Sequence, residues 1–250
     1  MQPLESDRNS RSPESPTAGW AAIEYGSLAA MRFMLVHSPL VGPATWRWVA
    51  EALRSSGHDV AVPDLREAAI TGAPYAVVRA ALELTAKGPT VLVGHSGAGF
   101  FLPSIAAGFD STVRRLVFVD AGVPPCEGEA TIGAEFLERL RSLAPDGTLP
   151  KWSTWWGESV MENLVPDGAR RGEIEAEMPE VPLAFFETPM PLPVGWCEGP
   201  GAFVLLSEPY RRDADTARSL GWPVVEDIGR HLDIVNDPES LVRDLNGLAR

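Results

Sequence analysis

The stretch Thr90-Val91-Leu92-Val93-Gly94-His95-Ser96-Gly97-Ala98-Gly99 joins a β-branched run to a group of small residues around one serine. A run such as 91–93 is typical of a buried strand, and the glycines indicate a tight turn from which a helix continues. A serine in such a strained turn tolerates only small neighbours. The stretch therefore predicts a strand, a serine at a sharp turn and then a helix.

This pattern resembles the nucleophile elbow of the α/β-hydrolase family, whose usual form is Gly-x-Ser-x-Gly. Ala98 takes the place of the last glycine, which is a small change in volume. The resemblance covers 32–125 and 202–249 and is vague between them. It implies an α/β fold with a mostly parallel central sheet, helices on both faces and a nucleophilic Ser96.

Composition limits the classes of function. A chain of 250 residues suits one α/β domain, and a formal charge of -13 argues against nucleic acid or an anionic membrane as partner. No apolar run approaches the ~18 residues of a membrane span, and the N-terminus lacks the basic-then-apolar order of a signal peptide.

Cys126 and Cys197 are too few for a disulfide framework and fit no metal spacing. We therefore expect free thiols and a cytoplasmic location.

The chain divides into three kinds of segment. Residues 1–19 are rich in Ser, Pro, Glu and Arg and predict a disordered tail. Strands and helices alternate in a core formed by 20–123 and 201–250, whereas 124–200 is dense in Pro, Trp and Gly and predicts a helical lid. The predicted strands are 33–36, 60–62, 91–93, 116–119, 202–206 and 224–225.

Two further predictions concern helices, and one concerns the sheet. The helix after Ser96 should run to about residue 107 with a kink at Pro103. The last helix should begin with Asp237 as N-cap and Pro238 at its first position. Alternating strands and helices predict a parallel sheet, with ligands bound beyond the carboxyl ends of its strands.

A serine hydroxyl needs an adjacent base, and that base needs an acid to hold its tautomer. The family resemblance implies the chain order serine, acid, histidine, with the histidine after the last strand. His231 lies there and is the predicted base. Of the other histidines, His95 is expected to pack beside the elbow, and His37 is expected to order the oxyanion loop.

The acid of the triad is less clearly determined by the sequence than the serine and the histidine. Most family members carry it after the seventh strand, where this chain reads Leu205-Leu206-Ser207-Glu208-Pro209-Tyr210 without an aspartate. Some carry it after the preceding strand, which here gives Asp120. Asp120 is the predicted acid, Glu208 is the alternative, and Asp213 or Asp233 follows.

The oxyanion hole departs most from the family pattern. The family's His-Gly-X reads His37-Ser38-Pro39 here, and proline has no N–H to donate. Gly97 N–H is one predicted donor. For the second we rank Leu40 N–H ahead of the Ser38 hydroxyl.

Aromatic residues of the lid, with two core residues, are predicted to line an apolar substrate pocket. The predicted lining residues are His37, Trp46, Trp152, Trp155, Trp156, Phe185, Phe186 and Trp196.

These residues favour a serine hydrolase that cleaves a small apolar or aromatic carboxylic ester or thioester, free or carrier-bound, through an acyl-enzyme. One alternative is an acyltransferase of small-molecule biosynthesis with the same triad. Another is a non-catalytic hydrolase-fold binding protein, which Pro39 and the missing aspartate after the seventh strand suggest. No cofactor and no metal ion are expected.

Overall fold

The computed structural model describes residues 30–84, 88–109 and 113–249. The predicted tail at 1–19, and the start of the predicted core up to residue 29, lie outside the described residues. The sequence also predicts a helix over about 73–86, and the structure describes this segment up to residue 84 with a helix at Pro74–Leu82.

In chain order the strands of the described residues are β1 (Arg32–Val36), β2 (Asp59–Ala61), β3 (Thr90–His95), β4 (Val113–Val119), β5 (Glu129–Ala130), β6 (Thr148–Leu149), β7 (Val181–Pro182), β8 (Met190–Pro191), β9 (Gly201–Leu205) and β10 (Val224–Glu226). Six of them form one parallel sheet in the order β10-β9-β4-β3-β1-β2, and the four shorter strands pair as the antiparallel ribbons β5–β8 and β6–β7.

Helices cover both faces of the sheet because alternate residues of each strand point to opposite sides. Phe33 and Leu35 of β1 enter one apolar core, whereas Met34 and Val36 enter the other. The helices are α1 (Arg47–Ser55), α2 (Arg66–Ile70), α3 (Pro74–Leu82), α4 (Leu102–Ala107), α5 (Ala134–Leu143), α6 (Glu158–Leu164), α7 (Gly168–Glu177), α8 (Leu183–Glu187), α9 (Arg211–Ser219), α10 (Asp233–Asn236) and α11 (Pro238–Leu248). Residues of α1 and α11 lie in the first core, and residues of α3, α4 and α9 lie in the second.

The helix after the elbow differs from its prediction. The chain first forms a 3₁₀ segment at Ser96–Phe101, and α4 then begins at Leu102 with Pro103 in its first turn. A proline in the first turn removes no helical hydrogen bond, so the predicted kink is wrong. The start of α11 is as predicted, since the Asp237 side chain accepts from Ser240 N at 3.1 Å.

The insertion between β4 and β9 contains α5, α6, α7, α8 and both ribbons. The sequence predicted its helices but not the ribbons, whose strands are each two residues long. Two residues are too few to show an alternating pattern.

Cys126 and Cys197 form a disulfide with Cα atoms 5.5 Å apart across 71 residues of sequence, so the prediction of free thiols is wrong. The two cysteines lie near the ends of the insertion, and β4 and β9 are neighbours in the sheet. That adjacency brings the ends together and is not visible in the cysteine spacing. Free thiols were one reason to predict a cytoplasmic location, and that reason no longer holds. The location itself stays a prediction. Among the described residues, no helix has the length and apolarity that a bilayer span requires.

The double substitution Cys126→Ser/Cys197→Ser should lower the free energy of unfolding by about 2–4 kcal/mol, because a cross-link over a long loop restricts the unfolded chain. Urea unfolding followed by circular dichroism measures the loss. Wild type treated with dithiothreitol should lose a similar amount, whereas the variant should not respond to the reductant. Alkylation of both cysteines in denatured, unreduced wild type would contradict the disulfide.

Candidate active site

Ser96 lies at a sharp turn between β3 and the 3₁₀ segment. Its φ of 57° is in the left-handed region, which a non-glycine residue seldom adopts. Ser96 N donates to Asp120 O at 3.2 Å, which ties the turn to the end of β4. A side chain at Gly99 would collide with the carbonyl oxygen of Gly122, so the small residues predicted around the serine follow from close backbone packing.

Asp120 and His231 form a hydrogen-bonded pair, with Nδ1 of His231 2.8 Å from Oδ2 of Asp120. A carboxylate only accepts, so Nδ1 carries the proton and Nε2 is left as the basic nitrogen. Asp120 is fully buried, and its Oδ1 accepts from Leu206 N and Ser207 N at 2.9 Å each. Burial alone would raise the pKa of Asp120, but the hydrogen bonds, above all that from His231, outweigh it and lower the pKa.

The three alternative acids are engaged elsewhere. Glu208 is an exposed partner of Arg211 at 2.7 Å, and this ion pair lowers the pKa of Glu208. Asp213 Oδ1 accepts from Val123 N at 2.8 Å, and Asp233 Oδ2 accepts from Arg230 N at 2.7 Å. The described residues therefore bring Asp120, and none of these three, to His231.

Tyr210 contacts both Ser96 and His231, and sequence reasoning missed it. Its hydroxyl lies 3.2 Å from Ser96 Oγ, and its ring stacks on the His231 imidazole at 5.0 Å between centroids and 6° between planes. Among the described residues, the hydrogen-bond partner of Ser96 Oγ is thus Tyr210 and not His231. The one signal for Tyr210 was its position just after β9, at the edge of the sheet where ligands bind.

His95 supports the loop that carries His231. Its Nε2 lies 2.9 Å from the carbonyl oxygen of His231, and the two rings are 4.4 Å apart. Burial, and then the nearby His231, lower the pKa of His95 to about 3. His95 is therefore neutral near pH 7, with its Nε2 proton donated to that carbonyl.

His37 holds the loop that faces the elbow. Its Nε2 accepts from Leu65 N at 3.0 Å, so Nδ1 carries the proton that is donated to Ser38 O at 2.8 Å. Burial lowers the pKa of His37 to about 4, which keeps it neutral. Leu40 N lies 3.4 Å from Ser38 Oγ, and a Cβ at Gly97 would lie 3.2 Å from that same oxygen. The Ser38 hydroxyl therefore lies between the loop and the elbow.

A cavity of about 630 Å³ opens beside Ser96 and His231. The predicted residues that line it are Ser38, Leu40, Ser96, Gly97, Trp152, Trp156, Phe185, Phe186 and His231. Further lining residues, which the sequence did not indicate, include Phe100, Phe101, Phe136, Met190 and Tyr210.

Four predicted lining residues do not reach this cavity. His37 and Trp46 are completely buried within the protein core. The indole of Trp155 donates to Pro150 O at 2.9 Å, and that of Trp196 donates to Pro125 O at 3.0 Å. Each indole N–H thus has a backbone acceptor within the insertion segment, and both side chains are buried.

Comparison with known proteins supports the fold. No protein-family model matches the chain. Esterase PIR7B from Oryza sativa subsp. japonica is 32% identical in an alignment of length 142, which covers 51% of this chain and 51% of that protein, so the match spans about half of each.

Three solved structures overlay on most of the chain. An extracellular α/β-hydrolase from a Paenibacillus species has a TM-score of 0.71 at 18% identity, and the overlay covers 88% of this chain and 99% of the hydrolase. Polyneuridine aldehyde esterase has a TM-score of 0.69 at 15% identity, covering 88% and 100%. Tomato methylketone synthase I has a TM-score of 0.69 at 17% identity, covering 90% and 99%. The chain has the α/β-hydrolase fold, and that prediction is confirmed.

Asp120→Asn should slow the reaction of Ser96 with a fluorophosphonate by about 10³- to 10⁴-fold, because an amide facing Nδ1 favours the wrong imidazole tautomer. The labelling rate is measured by intact mass. Glu208→Gln is the matched control and should label at the wild-type rate. Loss of labelling in the glutamine variant with little change in the asparagine variant would reverse the assignment of the acid.

Proposed function

We propose that this chain is a serine esterase that hydrolyses small, neutral carboxylic esters or thioesters with an apolar or aromatic acyl group. The observation that carries the proposal is the His231 imidazole, bonded to buried Asp120 and lining the same cavity as Ser96. The names of three of the four similar proteins, an esterase by sequence and a hydrolase and an esterase by structure, agree with it.

In the proposed reaction, Nε2 of His231 removes the hydroxyl proton of Ser96 as Oγ attacks the substrate carbonyl carbon. The imidazolium then protonates the leaving group. Water, deprotonated by the same nitrogen, attacks the acyl-enzyme and releases the acid. Asp120 stays ionised throughout and stabilises the imidazolium, a role that its lowered pKa suits.

For the oxyanion we propose Gly97 N–H and the Ser38 hydroxyl as donors. Leu40 N–H faces Ser38 Oγ and would leave the hydroxyl proton of Ser38 free for the substrate. This arrangement favours Ser38 over Leu40 and supplies a donor that Pro39 lacks.

The cavity supports the substrate class. Its lining is predominantly aromatic and aliphatic, and none of the described lining residues is lysine or arginine. An anionic acyl chain would therefore meet no positive partner there, and the carboxylate of Asp213 would repel it. Neutral acyl groups fit this environment.

Ser96→Ala should lower hydrolysis of a p-nitrophenyl ester panel by more than about 10⁴-fold, because it removes the nucleophile. Neutral butyrate and benzoate esters should exceed a succinate monoester in kcat/KM. A wild type no faster than Ser96→Ala, with no fluorophosphonate label at Ser96, would instead mark a non-catalytic protein. A new ester formed from an added alcohol, at the expense of free acid, would mark an acyltransferase.

Ser38→Ala should lower kcat by about 10²- to 10³-fold with little change in KM, because an oxyanion donor acts mainly in the transition state. Ser142→Ala, which removes an exposed hydroxyl of α5, is the control and should leave kcat unchanged. An unchanged kcat in the Ser38 variant would instead indicate Leu40 N–H as the second oxyanion donor.

A further inference from the structure

Among the residues that the structure describes, Tyr210 has a side chain that contacts both Ser96, the proposed nucleophile, and His231, the proposed base. Its hydroxyl is within hydrogen-bond distance of Ser96 Oγ, at 3.2 Å, while its ring lies nearly parallel to the imidazole of His231. Phenylalanine would keep the ring contact and lose the hydroxyl. The two contacts can therefore be separated experimentally.

The phenol is the better donor of the two hydroxyl groups, because a phenol is far more acidic than an aliphatic alcohol. Desolvation raises the pKa of Tyr210 to about 12, so the group is neutral and retains its proton near pH 7. If Tyr210 donates to Ser96 Oγ, the proton of Ser96 stays available to Nε2 of His231.

We propose that Tyr210 is a catalytic residue that acts chiefly in breakdown of the acyl-enzyme, by donating a hydrogen bond to Ser96 Oγ as that oxygen leaves the acyl carbon. The inference rests on the proposed esterase function and extends it to a residue outside the triad. Tyr210 keeps its own proton throughout.

The step balances without proton transfer from the phenol. Water adds to the acyl carbon and gives a proton to His231. The tetrahedral intermediate then collapses, the bond between carbon and Oγ breaks, and Oγ takes the proton from the imidazolium. During the collapse, negative charge develops on Oγ next to the Tyr210 hydroxyl.

The two half-reactions should depend on this hydrogen bond differently. Before acylation Oγ is a hydroxyl oxygen, a good acceptor that already contacts Tyr210, so the bond stabilises the ground state as well as the transition state. In the acyl-enzyme Oγ is an ester oxygen and a poor acceptor, which becomes a strong one only as charge develops. The bond therefore favours the transition state mainly in deacylation.

Tyr210→Phe should slow deacylation by about ten- to a hundredfold, the effect of one hydrogen bond to a charged oxygen, while acylation stays within about threefold. Stopped-flow measurement with p-nitrophenyl acetate should show a burst of one equivalent followed by a slow steady state. Intact mass should show acetyl on Ser96 accumulating during turnover.

Tyr75→Phe is the matched control, because Tyr75 is an exposed tyrosine of α3, and both its rates should equal those of wild type. A thermal melt and the fluorophosphonate labelling rate report whether the Tyr210 variant keeps its fold and its reactive serine. Equal slowing of both steps, or no change in deacylation, would overturn the proposal. Failure of the esterase proposal looks different, since wild type itself would then show no burst and no label at Ser96.

Discussion

The carboxylate of Asp120 is the interaction on which the site depends. Asp120 follows β4 and has a left-handed backbone conformation, with φ of 43°. Its carboxylate oxygens accept hydrogen bonds from the backbone after β9 and from the imidazole of His231 in the loop after β10. Its backbone oxygen also accepts from Ser96 N. One residue thus fixes the relative positions of four strand ends. The cost of burying its charge is offset because both carboxylate oxygens have hydrogen-bond donors.

Neutral histidines complete this framework. His37 and His95 are buried, and desolvation lowers the pKa of each far enough that neither is charged near neutral pH. Each donates one ring N–H to a backbone carbonyl, at Ser38 and at His231. The two rings therefore support two loops that line the cavity without adding charge beside the base. Of the four histidines, His231 is the one whose ring nitrogen contacts the carboxylate of Asp120.

Local patterns in the sequence predicted much of this arrangement. The β-branched run before Ser96, the periodicity of the strands and the Asp237-Pro238 helix start are determined by neighbouring residues. Asp120 was predicted because some members of the family that the sequence resembles carry the acid after this strand, and parallel strands end at one edge of a sheet. Tyr210 was not, since nothing near it in sequence distinguishes an aromatic residue against the serine from one in the core.

The aromatic residues show the same limit. Trp152 and Trp156 reach the cavity, whereas Trp155 between them turns inward to a backbone acceptor. All three residues are tryptophans, so only tertiary packing decides which of them line the cavity. The disulfide likewise follows from the pairing of β4 with β9, a relation between segments that are distant along the chain.

The bond between Cys126 and Cys197 also bears on how such a chain can diversify. It closes the base of the insertion at the point where the chain leaves and re-enters the sheet. Residues within the closed loop can then be exchanged or lengthened while the exit and the return stay fixed. The insertion residues that line the cavity can thereby change while the strand ends that carry Ser96, Asp120 and His231 keep their positions.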